Sequence, residues 1–454
     1  MSAHFTYLSA GLLAFSAQAS AQTADRPNII CILVDDLGYG DLSSYGGQDV
    51  RTPNIDRIMN EGMRFTDFHA NSTVSSPSRA SLLTGRYPDL LGVPGVIRTE
   101  EEHSWGYLSP DAILLPQVLK TAGYTSAIIG KWHLGYVSPN LPNDKGFDHF
   151  KGFLGDMMED YYEHLRFGNN YMRHNRQVIE TKGTHATDLF TQWTIEYLNE
   201  RKGKQEPFFL YLAYNAPHTP IQPPSEWEAI VKRREPQMSE DRAKLVALIE
   251  HLDHGVGQVL DALEKNGMMN NTLIIFSSDN GGQLSVGANN GFLRGGKQDM
   301  YEGGIRVIGG FLWKDRIKAG SVTDNFAVLF DLFPTICEVA GAKITHQIDA
   351  ISILPTLLGQ QQVTDNRTVH WLRREGGDYY GGMAYYATRN GNFKIVQNSP
   401  WEPIQFFNLA TDPAEQNPLD RDKEFQHIYR QLFRNQTQHI RRSGAVPWQK
   451  AIDN

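Results

Sequence analysis

Four apolar runs separated by helical patterns constrain the fold of this chain more than any other feature. The runs cover residues 28–34, 125–129, 207–213 and 272–278. The helical patterns cover residues 112–122, 186–200 and 241–265. Continuous apolar runs are typical of strands that are buried on both faces of a sheet. Strands alternating with helices predict an α/β sandwich around a mostly parallel central sheet.

The pattern changes after about residue 360. Short strand-like runs cover residues 369–372, 383–388, 393–397 and 404–407, and a helical pattern covers 423–441. This predicts a smaller C-terminal antiparallel sheet with one packing helix. A chain of 454 residues accommodates one large domain and a smaller one. We place the large domain at residues 22–360 and the C-terminal α+β subdomain at 361–454.

The first 21 residues have the composition of a secretory signal peptide. They contain no acidic residue, have an apolar stretch over residues 7–15, and end in Ala19-Ser20-Ala21. We expect cleavage before Gln22 and an exported, periplasmic or extracellular protein. No other run is apolar enough to span a membrane. Cys31 and Cys337 lie in apolar segments, which favours inert buried thiols over a disulfide.

Carboxylates follow two of the predicted strands. Asp35 and Asp36 follow the first strand, and Asp279 and Asn280 follow the last. Ligands in such sheets collect at the carboxyl ends of the strands. Because clustered carboxylates repel one another, they persist where a cation neutralises them. An all-oxygen site suits Ca²⁺, or Mg²⁺ if the geometry is tighter; the alternative is that these residues only form turns or helix caps.

Basic residues follow the other strands. Lys131 and His133 come after the second strand, His218 follows the third in a loop containing two prolines, and Lys297 lies in a glycine-rich segment. Each residue alone is typical of a structural or solvated side chain. Together, close to an all-oxygen metal site, they can bind a tetrahedral oxyanion. The net charge of −8 argues against a nucleic-acid partner, so an anionic substrate requires such a local basic pocket.

Residues 75–86 form the most specific motif. Ser75, Pro77 and Arg79 are followed by an apolar helical run and by Thr84-Gly85-Arg86. Pro77 suits a first helical turn, Ser75 and Ser76 are N-cap candidates, and Gly85 can end the helix. The amino end of a helix favours an anion. The segment resembles the signature of the type I sulfatases, as do the other blocks from residue 28 to about 310 and the segment 406–419.

The resemblance implies an alkaline-phosphatase-like fold and a set of site residues. Ser75 would be oxidised to formylglycine, whose aldehyde hydrates to a diol that attacks sulfur. The implied ligands of Ca²⁺, with Mg²⁺ second, are Asp35, Asp36, Ser75, Asp279 and Asn280. The implied catalytic residues are Ser75, Arg79, Lys131, His133, His218 and Lys297.

In that scheme Arg79 polarises the diol, and Lys131 and Lys297 contact the sulfate. His133 accepts a proton, and either His218 or Lys297 protonates the leaving group. A serine at the modified position resembles bacterial members whose residue is oxidised by a radical maturase before export. A serine introduced in place of cysteine would give the same sequence.

Polar and aromatic residues outside the motif blocks are candidates for substrate binding, because sulfated sugars offer a ring face and anionic groups. These candidates are His103, Trp105, Tyr162, His164, Arg166, Arg373 and Arg374. We therefore expect a sulfatase that acts on a sulfated polysaccharide or its oligosaccharides. Two alternatives stay open: a phosphonate monoester or phosphodiester hydrolase of the same superfamily, and a noncatalytic sulfated-glycan-binding protein if Ser75 is unmodified.

Overall fold

The computed structural model describes residues 26–100, 103–104, 106–376 and 383–443. The predicted signal peptide therefore lies outside the described residues. Within them, no helix combines the length and the apolar character needed to cross a membrane.

The strands of the described chain are β1 Asn28–Val34, β2 Met63–His69, β3 Thr125–Lys131, β4 His149–Phe153, β5 Leu165–Arg166, β6 Asn169–Asn170, β7 Met172–His174, β8 Gln177–Val178, β9 Phe208–Ala213, β10 Thr272–Ser278, β11 Arg306–Leu312, β12 Ser321–Thr323, β13 Ala327–Val328, β14 Thr368–Arg374, β15 Ala384–Asn390, β16 Phe393–Gln397 and β17 Gln405–Asn408. The α-helices are α1 Pro53–Asn60, α2 Ser75–Thr84, α3 Leu115–Thr121, α4 Ala186–Arg201, α5 Ser225–Arg234, α6 Glu240–Lys265, α7 Glu302–Ile305, α8 Leu332–Ala340, α9 Leu354–Leu357 and α10 Gln426–Ser443.

The large sheet has eleven strands, in the order β12-β2-β11-β10-β1-β9-β3-β4-β7-β8, with β13 paired to β2. Its centre, from β10 to β4, is parallel throughout. Strand β11 runs antiparallel to both of its neighbours. The predicted mostly parallel sheet is confirmed, whereas β2 and β11 were not predicted from the sequence.

Helices cover both faces of this sheet, which explains the continuous apolar strands. Ile30 and Ile32 of β1 pack on the side of α4 and α6. The alternate residues Ile29 and Cys31 pack on the side of α2, α3 and α8. Because successive strand residues point to opposite faces, each position of β1 from Ile29 onward is buried. Cys31 and Cys337 are free and buried, and burial raises the pKa of each thiol to about 12.

Strands β14 to β17 form a separate four-stranded antiparallel sheet, and α10 packs against it. Leu432 of α10 contacts Ile395 and Phe406 of the sheet in a small apolar core. The predicted C-terminal sheet with a packing helix is confirmed.

A buried set of charged residues lies where the two sheets meet. Glu302 on α7 accepts hydrogen bonds from His69 and Lys394, both at 2.8 Å. Lys394 also lies 2.9 Å from a carboxylate oxygen of Glu415. Arg389 donates to both oxygens of Asp67, at 3.0 and 2.7 Å. We call this set the joint cluster; its members are Asp67, His69, Glu302, Arg389, Lys394 and Glu415.

Candidate active site

Asp35 and Asp279 leave the sheet side by side, because β1 and β10 pair in parallel with Val34 opposite Ser278. The backbone N–H of Asp36 donates to Asp279 Oδ1 at 3.3 Å. Asn280 donates through Nδ2 to Asp36 Oδ1 at 2.8 Å. Asp36 has φ 67°, in the left-handed region that few residues other than glycine adopt. The sheet register thus brings together the four residues that the sequence placed at two separate strand ends.

These residues fit a hard divalent cation. Three carboxylates and one amide are buried together, and Asn280 Oδ1 has no hydrogen-bond partner among the described residues. A buried carbonyl oxygen without a donor is costly unless something else satisfies it. Oxygen-only ligand sets of this kind suit Ca²⁺. We call Asp35, Asp36, Asp279 and Asn280, with their cationic neighbours Arg79, Lys131 and Lys297, the strand-end cluster.

Ser75 is the first residue of α2, directly above this cluster. Its hydroxyl donates to Asp35 Oδ1 at 2.8 Å. Val74 takes the N-cap position, so the predicted capping by Ser75 or Ser76 is wrong; Ser76 Oγ instead accepts from the N–H of Ile97 at 3.0 Å. The expected end at Gly85 is present, with φ 68°.

Arg79 lies one helical turn after Ser75 and is completely buried. It donates to Asp279 Oδ2 through Nη2 at 2.9 Å and through Nε at 3.2 Å. Lys131, at the end of β3, forms an ion pair with Asp35. Burial raises the pKa of Asp35, but Lys131, His218 and Arg79 outweigh burial and hold that pKa well below its usual range.

Asp279 is less well compensated. Burial, and then the charge of Asp35, raise the pKa of Asp279 to about 7 against the opposing effect of Arg79 and Lys131. The ionised form of this carboxyl is therefore costly among the protein's own groups. A bound cation would favour the ionised form.

His133 is buried, and its pKa is held well below the usual range by burial and by the charges of Lys131 and Arg79. Its Nε2–H donates to the carbonyl of Ile97 at 2.9 Å. The other ring nitrogen, Nδ1, is buried and has no hydrogen-bond partner in the described part of the chain. The lowered pKa favours the neutral ring, and the hydrogen bond of Nε2–H leaves the lone pair of Nδ1 as the site that can accept a proton.

His218 and Lys297 form a pair on the opposite side of the cluster. His218 Nδ1 donates to the carbonyl of Thr219 at 2.7 Å, which leaves Nε2 as an acceptor. Lys297 Nζ donates to that Nε2 at 3.0 Å and to Asp36 Oδ2 at 2.7 Å. The proton shared by this pair accordingly resides on Lys297 in this arrangement.

A cavity of about 450 Å³ opens above Ser75, and the side chains of His133, His218 and Lys297 line it. Of the predicted substrate residues, His103, Arg166 and Arg373 contribute to its wall.

Three of the remaining predicted substrate residues lie away from the cavity, and one is outside the described part of the chain. Tyr162, His164 and Arg374 do not line the cavity formed by the described residues, and Trp105 lies outside the described residues. His164 is buried and bonds Thr181 Oγ1 through Nδ1 at 2.8 Å and backbone carbonyls through Nε2. Arg374 contacts the hydroxyl of Tyr386 at 3.1 Å, because it follows Arg373 on β14 and points to the other face.

Several wall residues were not among the sequence candidates. Phe167 lies at the cavity with its side chain exposed, and the guanidinium of Arg166 stacks over its ring at 4.0 Å. Arg98 and Gln298 also line the cavity. These residues belong to loops, so no periodic pattern identifies them. The signals in the sequence are local ones: Arg98 begins the polar stretch that contains His103, Phe167 follows Arg166, and Gln298 follows Lys297.

Comparison with known proteins agrees with this geometry. Residues 27–342 match the family described as Sulfatase, and residues 294–442 match the family described as N-sulphoglucosamine sulphohydrolase, C-terminal. N-acetylgalactosamine-6-sulfatase of Rattus norvegicus is 32% identical, over 88% of this chain and 82% of its own length.

Solved structures give the same relationship. Ps i-CgsB in complex with k-i-k-neocarrahexaose has a TM-score of 0.85 and 31% identity, over 94% of this chain and 96% of that chain. Phosphonate monoester hydrolase of Agrobacterium radiobacter has a TM-score of 0.65 at 20% identity, over 92% of this chain and 95% of that chain. The second likeness shows a shared alkaline-phosphatase-like fold and nothing more specific. The match to the Sulfatase family over most of the chain decides the assignment: this protein belongs to the sulfatase family and is a sulfuric ester hydrolase.

Proposed function

We propose that this enzyme hydrolyses sulfate esters of a sulfated carbohydrate, using a formylglycine made from Ser75 and a bound calcium ion. The observation that carries the proposal is the position of Ser75. It lies at the floor of a cavity, and its Oγ is 2.8 Å from Asp35 Oδ1. The amide oxygen of the neighbouring Asn280 has no hydrogen-bond partner within the described ranges.

Two properties of the cavity support a sulfated sugar as the substrate. Phe167 offers an exposed ring at the cavity, suited to stacking on a sugar face. Arg373 lines the same cavity and provides donors for anionic groups. The names of Ps i-CgsB's ligand and of the rat relative both refer to carbohydrates, which agrees with this substrate class.

Different residues of this chain have different roles in the proposed reaction. Formylglycine at position 75 would supply an aldehyde that hydrates to a nucleophile, and calcium held by Asp35, Asp36, Asp279 and Asn280 would supply positive charge against the sulfate. Arg79 fixes Asp279 and the start of α2 in place. Lys131 and Lys297 bring positive charge toward the sulfate oxygens, where charge is redistributed as the ester bond breaks.

The Lys297–His218 pair donates a proton in the reaction, and His133 accepts one. Lys297 holds the proton and His218 Nε2 accepts its hydrogen bond, so this pair delivers a proton to the leaving oxygen of the sugar. His133 accepts a proton on Nδ1, since its Nε2–H is fixed on the carbonyl of Ile97. The two sides of the cavity thus perform opposite proton transfers.

Maturation and location are part of the same proposal. A serine at position 75 requires a radical maturase that acts before export. The signal-like segment at residues 1–21 supports export to the periplasm or the extracellular space.

Mass spectrometry of the peptide that carries residue 75, together with sulfate release, tests the proposal. The protein is produced with and without an anaerobic radical maturase and assayed on monosulfated galactose, N-acetylgalactosamine and glucosamine. We expect a loss of about 2 Da at residue 75 only with the maturase, and sulfate release in proportion to that modified fraction.

The same preparations are assayed on nitrophenyl sulfate and on nitrophenyl phosphate esters. Hydrolysis of the phosphate esters alone would assign the site to the phosphonate and phosphodiester hydrolases. Binding of sulfated sugar with no modification and no turnover under any condition would make the protein a glycan-binding relative.

A further inference from the structure

Arg373 reaches the active-site cavity from the small sheet, although its side chain is only 5% exposed. Its Nε donates to Glu375 Oε1 at 2.8 Å, and its Nη1 donates to the carbonyl of Gln298 at 3.2 Å. The remaining arm, Nη2, has no hydrogen-bond acceptor among the described residues. The side chain lines the cavity, so this unused donor is available to an anionic group of a ligand.

The carboxylate that holds Arg373 is divided between two arginines. Glu375 Oε2 lies 2.9 Å from Nη1 of Arg98, while Oε1 accepts from Arg373. Arg98 lies in the large domain and Arg373 in β14 of the small sheet. Glu375 therefore accepts a hydrogen bond from Arg373 and forms an ion pair with Arg98, and it forms a two-pronged pair with neither.

Arg166, across the same cavity, shows the contrasting arrangement. Its Nε and Nη2 donate to the two oxygens of Asp156, both at 3.1 Å. That bidentate pair neutralises the guanidinium and fixes it over the ring of Phe167. Arg166 can therefore contact the face of a sugar ring but has little charge left for an anion. Arg373 still has a donor that can bind an anion.

Arg373 also lies next to the residues that meet the reacting sulfate. Gln298, which accepts its Nη1–H, directly follows Lys297. The backbone N–H of Gln298 is fixed by the carbonyl of Thr73, close to Ser75 in the chain. An anion on Arg373 would thus belong to the same substrate molecule, at a position close to the ester that is cleaved.

The segment that carries Arg98 connects β14 to the start of α2 through hydrogen bonds. The N–H of Arg374 in β14 donates to the carbonyl of Pro94 at 2.8 Å. The carbonyl of Ile97 accepts from His133, and the N–H of Ile97 donates to Ser76. One short loop therefore fixes β14 against the start of α2, which positions Arg373 relative to Ser75.

From these contacts we propose that Arg373, positioned by Glu375, binds a second anionic group of the substrate. The preferred substrate then carries another sulfate or a carboxylate close to the scissile sulfate ester. This inference rests on the proposed function, because it assigns a substrate preference to the same cavity. The planar fork of N–H donors on Arg373 recognises an oxyanion, and both a sulfate and a uronate carboxylate provide one.

The test compares oligosaccharides that differ only at the second group. Three disaccharides carry the same cleavable sulfate; the neighbouring sugar is neutral in one, sulfated in another and a uronate in the third. The measured quantity is kcat/KM for sulfate release by the matured full-length enzyme. We expect the wild type to prefer one or both of the doubly anionic substrates, and the two charged arms identify which group is recognised.

Replacing the guanidinium should remove that preference. In Arg373→Gln we expect the ratio of kcat/KM between the doubly and singly anionic substrates to fall by about 10- to 100-fold. Arg373→Lys should restore part of the ratio, because it keeps the charge but not the planar fork. Arg233→Gln, an exposed arginine on α5, is the matched control and should leave the ratio unchanged.

The outcomes separate this inference from the proposed function. A wild type that releases sulfate equally from all three disaccharides overturns the inference and leaves the proposed function standing. A wild type that releases no sulfate from any substrate overturns the proposed function itself. If Arg373→Gln does not fold, Glu375→Gln gives the second reading: an unchanged ratio in that folded variant would contradict the positioning role of Glu375.

Discussion

The strand-end cluster and the joint cluster bury similar sets of charged side chains, and in both every carboxylate has a cationic partner. Asp279 pairs with Arg79 in the first, and Glu302 pairs with Lys394 in the second. The pKa of Asp279 is nevertheless raised to about 7, mainly by burial, whereas Lys394 and His69 outweigh burial and hold that of Glu302 well below its usual range.

The two clusters differ in their access to the active-site cavity. The strand-end cluster lies beneath a cavity lined by Ser75 and His133, and its Asn280 Oδ1 accepts no hydrogen bond from the described residues. The joint cluster also buries atoms without such a partner, Glu415 Oε1 and His69 Nδ1, but none of its residues lines that cavity. Its members link β2, α7 and the small sheet. Ion pairing by itself therefore does not mark a functional site; an unsatisfied ligand atom beneath an open cavity does.

The largest expected effect is on turnover at Ser75. Ser75→Ala removes the group from which the nucleophile is made, so we expect sulfate release to fall by about 10⁴-fold or more. The measurement is kcat/KM on the best monosulfated sugar, with thermal unfolding to verify the fold.

Ser81→Ala is the matched control for Ser75→Ala, because Ser81 is another buried serine of α2 and its hydroxyl has no hydrogen-bond partner among the residues that the structure describes. It should retain nearly full activity. Comparable losses in both variants would show that the helix matters only as packing.

Removing one lysine from each cluster should separate activity from stability. In Lys394→Met, Glu302 and Glu415 lose their common partner, and we expect the free energy of unfolding to fall by about 3–5 kcal/mol. In Lys131→Met we expect kcat to fall by about 10²-fold or more, with a smaller change in stability. Urea unfolding and turnover per folded molecule are measured on both variants; identical profiles would erase the distinction between the clusters.

Withdrawal of the divalent cation should affect only the strand-end cluster. After chelation, Ca²⁺ at about 100 times its Kd should restore activity and stabilise the wild type by about 2–3 kcal/mol. Asn280→Ala removes one oxygen ligand, so it should need far more Ca²⁺ for the same rise in melting temperature. Ser81→Ala should respond as the wild type does. If the melting temperature of the wild type changes neither on chelation nor on addition of Ca²⁺, the proposed metal site is wrong.

The sequence predicted the centre of the large sheet well, because each of those strands is buried on both faces. The bounds of β1 and β10 agree with the predicted runs. Strand β11 was not predicted, since two glycines interrupt its apolar pattern. The structure explains them: a Cβ at Gly309 would meet Phe68 and one at Gly310 would meet Met59, at 2.7 and 2.3 Å.

The part of the candidate site that lies at the strand ends could be predicted from the sequence, and the parts that depend on loops and tertiary packing could not. Asp35 and Asp279 come together because the carboxyl ends of parallel strands meet at one edge of the sheet. The joint cluster has no local signal, because its residues are spread from Asp67 to Glu415 and meet only through tertiary packing. Loop residues such as His164 depend on the path of the chain, which periodicity does not encode.

The smallest predicted effect concerns pH and the joint cluster. His69 is fully buried, and burial lowers its pKa below 6.5 despite the nearby carboxylates Glu302 and Asp67. A histidine whose pKa is depressed on folding binds its proton more readily in the unfolded chain. Its contribution to stability is therefore complete above about pH 6.5 and declines as the pH falls from that value toward the folded-state pKa.

His69→Gln isolates this contribution, because glutamine keeps a donor for Glu302 but does not titrate. We expect the drop in unfolding free energy between pH 7.5 and pH 5.5 to be smaller in His69→Gln than in the wild type, as measured by urea unfolding at both values. His427→Gln, in α10 and outside the joint cluster, serves as the control and should keep the wild-type drop. If His69→Gln loses stability on acidification as steeply as the wild type, His69 is not neutral in the folded protein. The joint cluster would then carry an additional positive charge, and its contrast with the strand-end cluster would have to be redrawn on that basis.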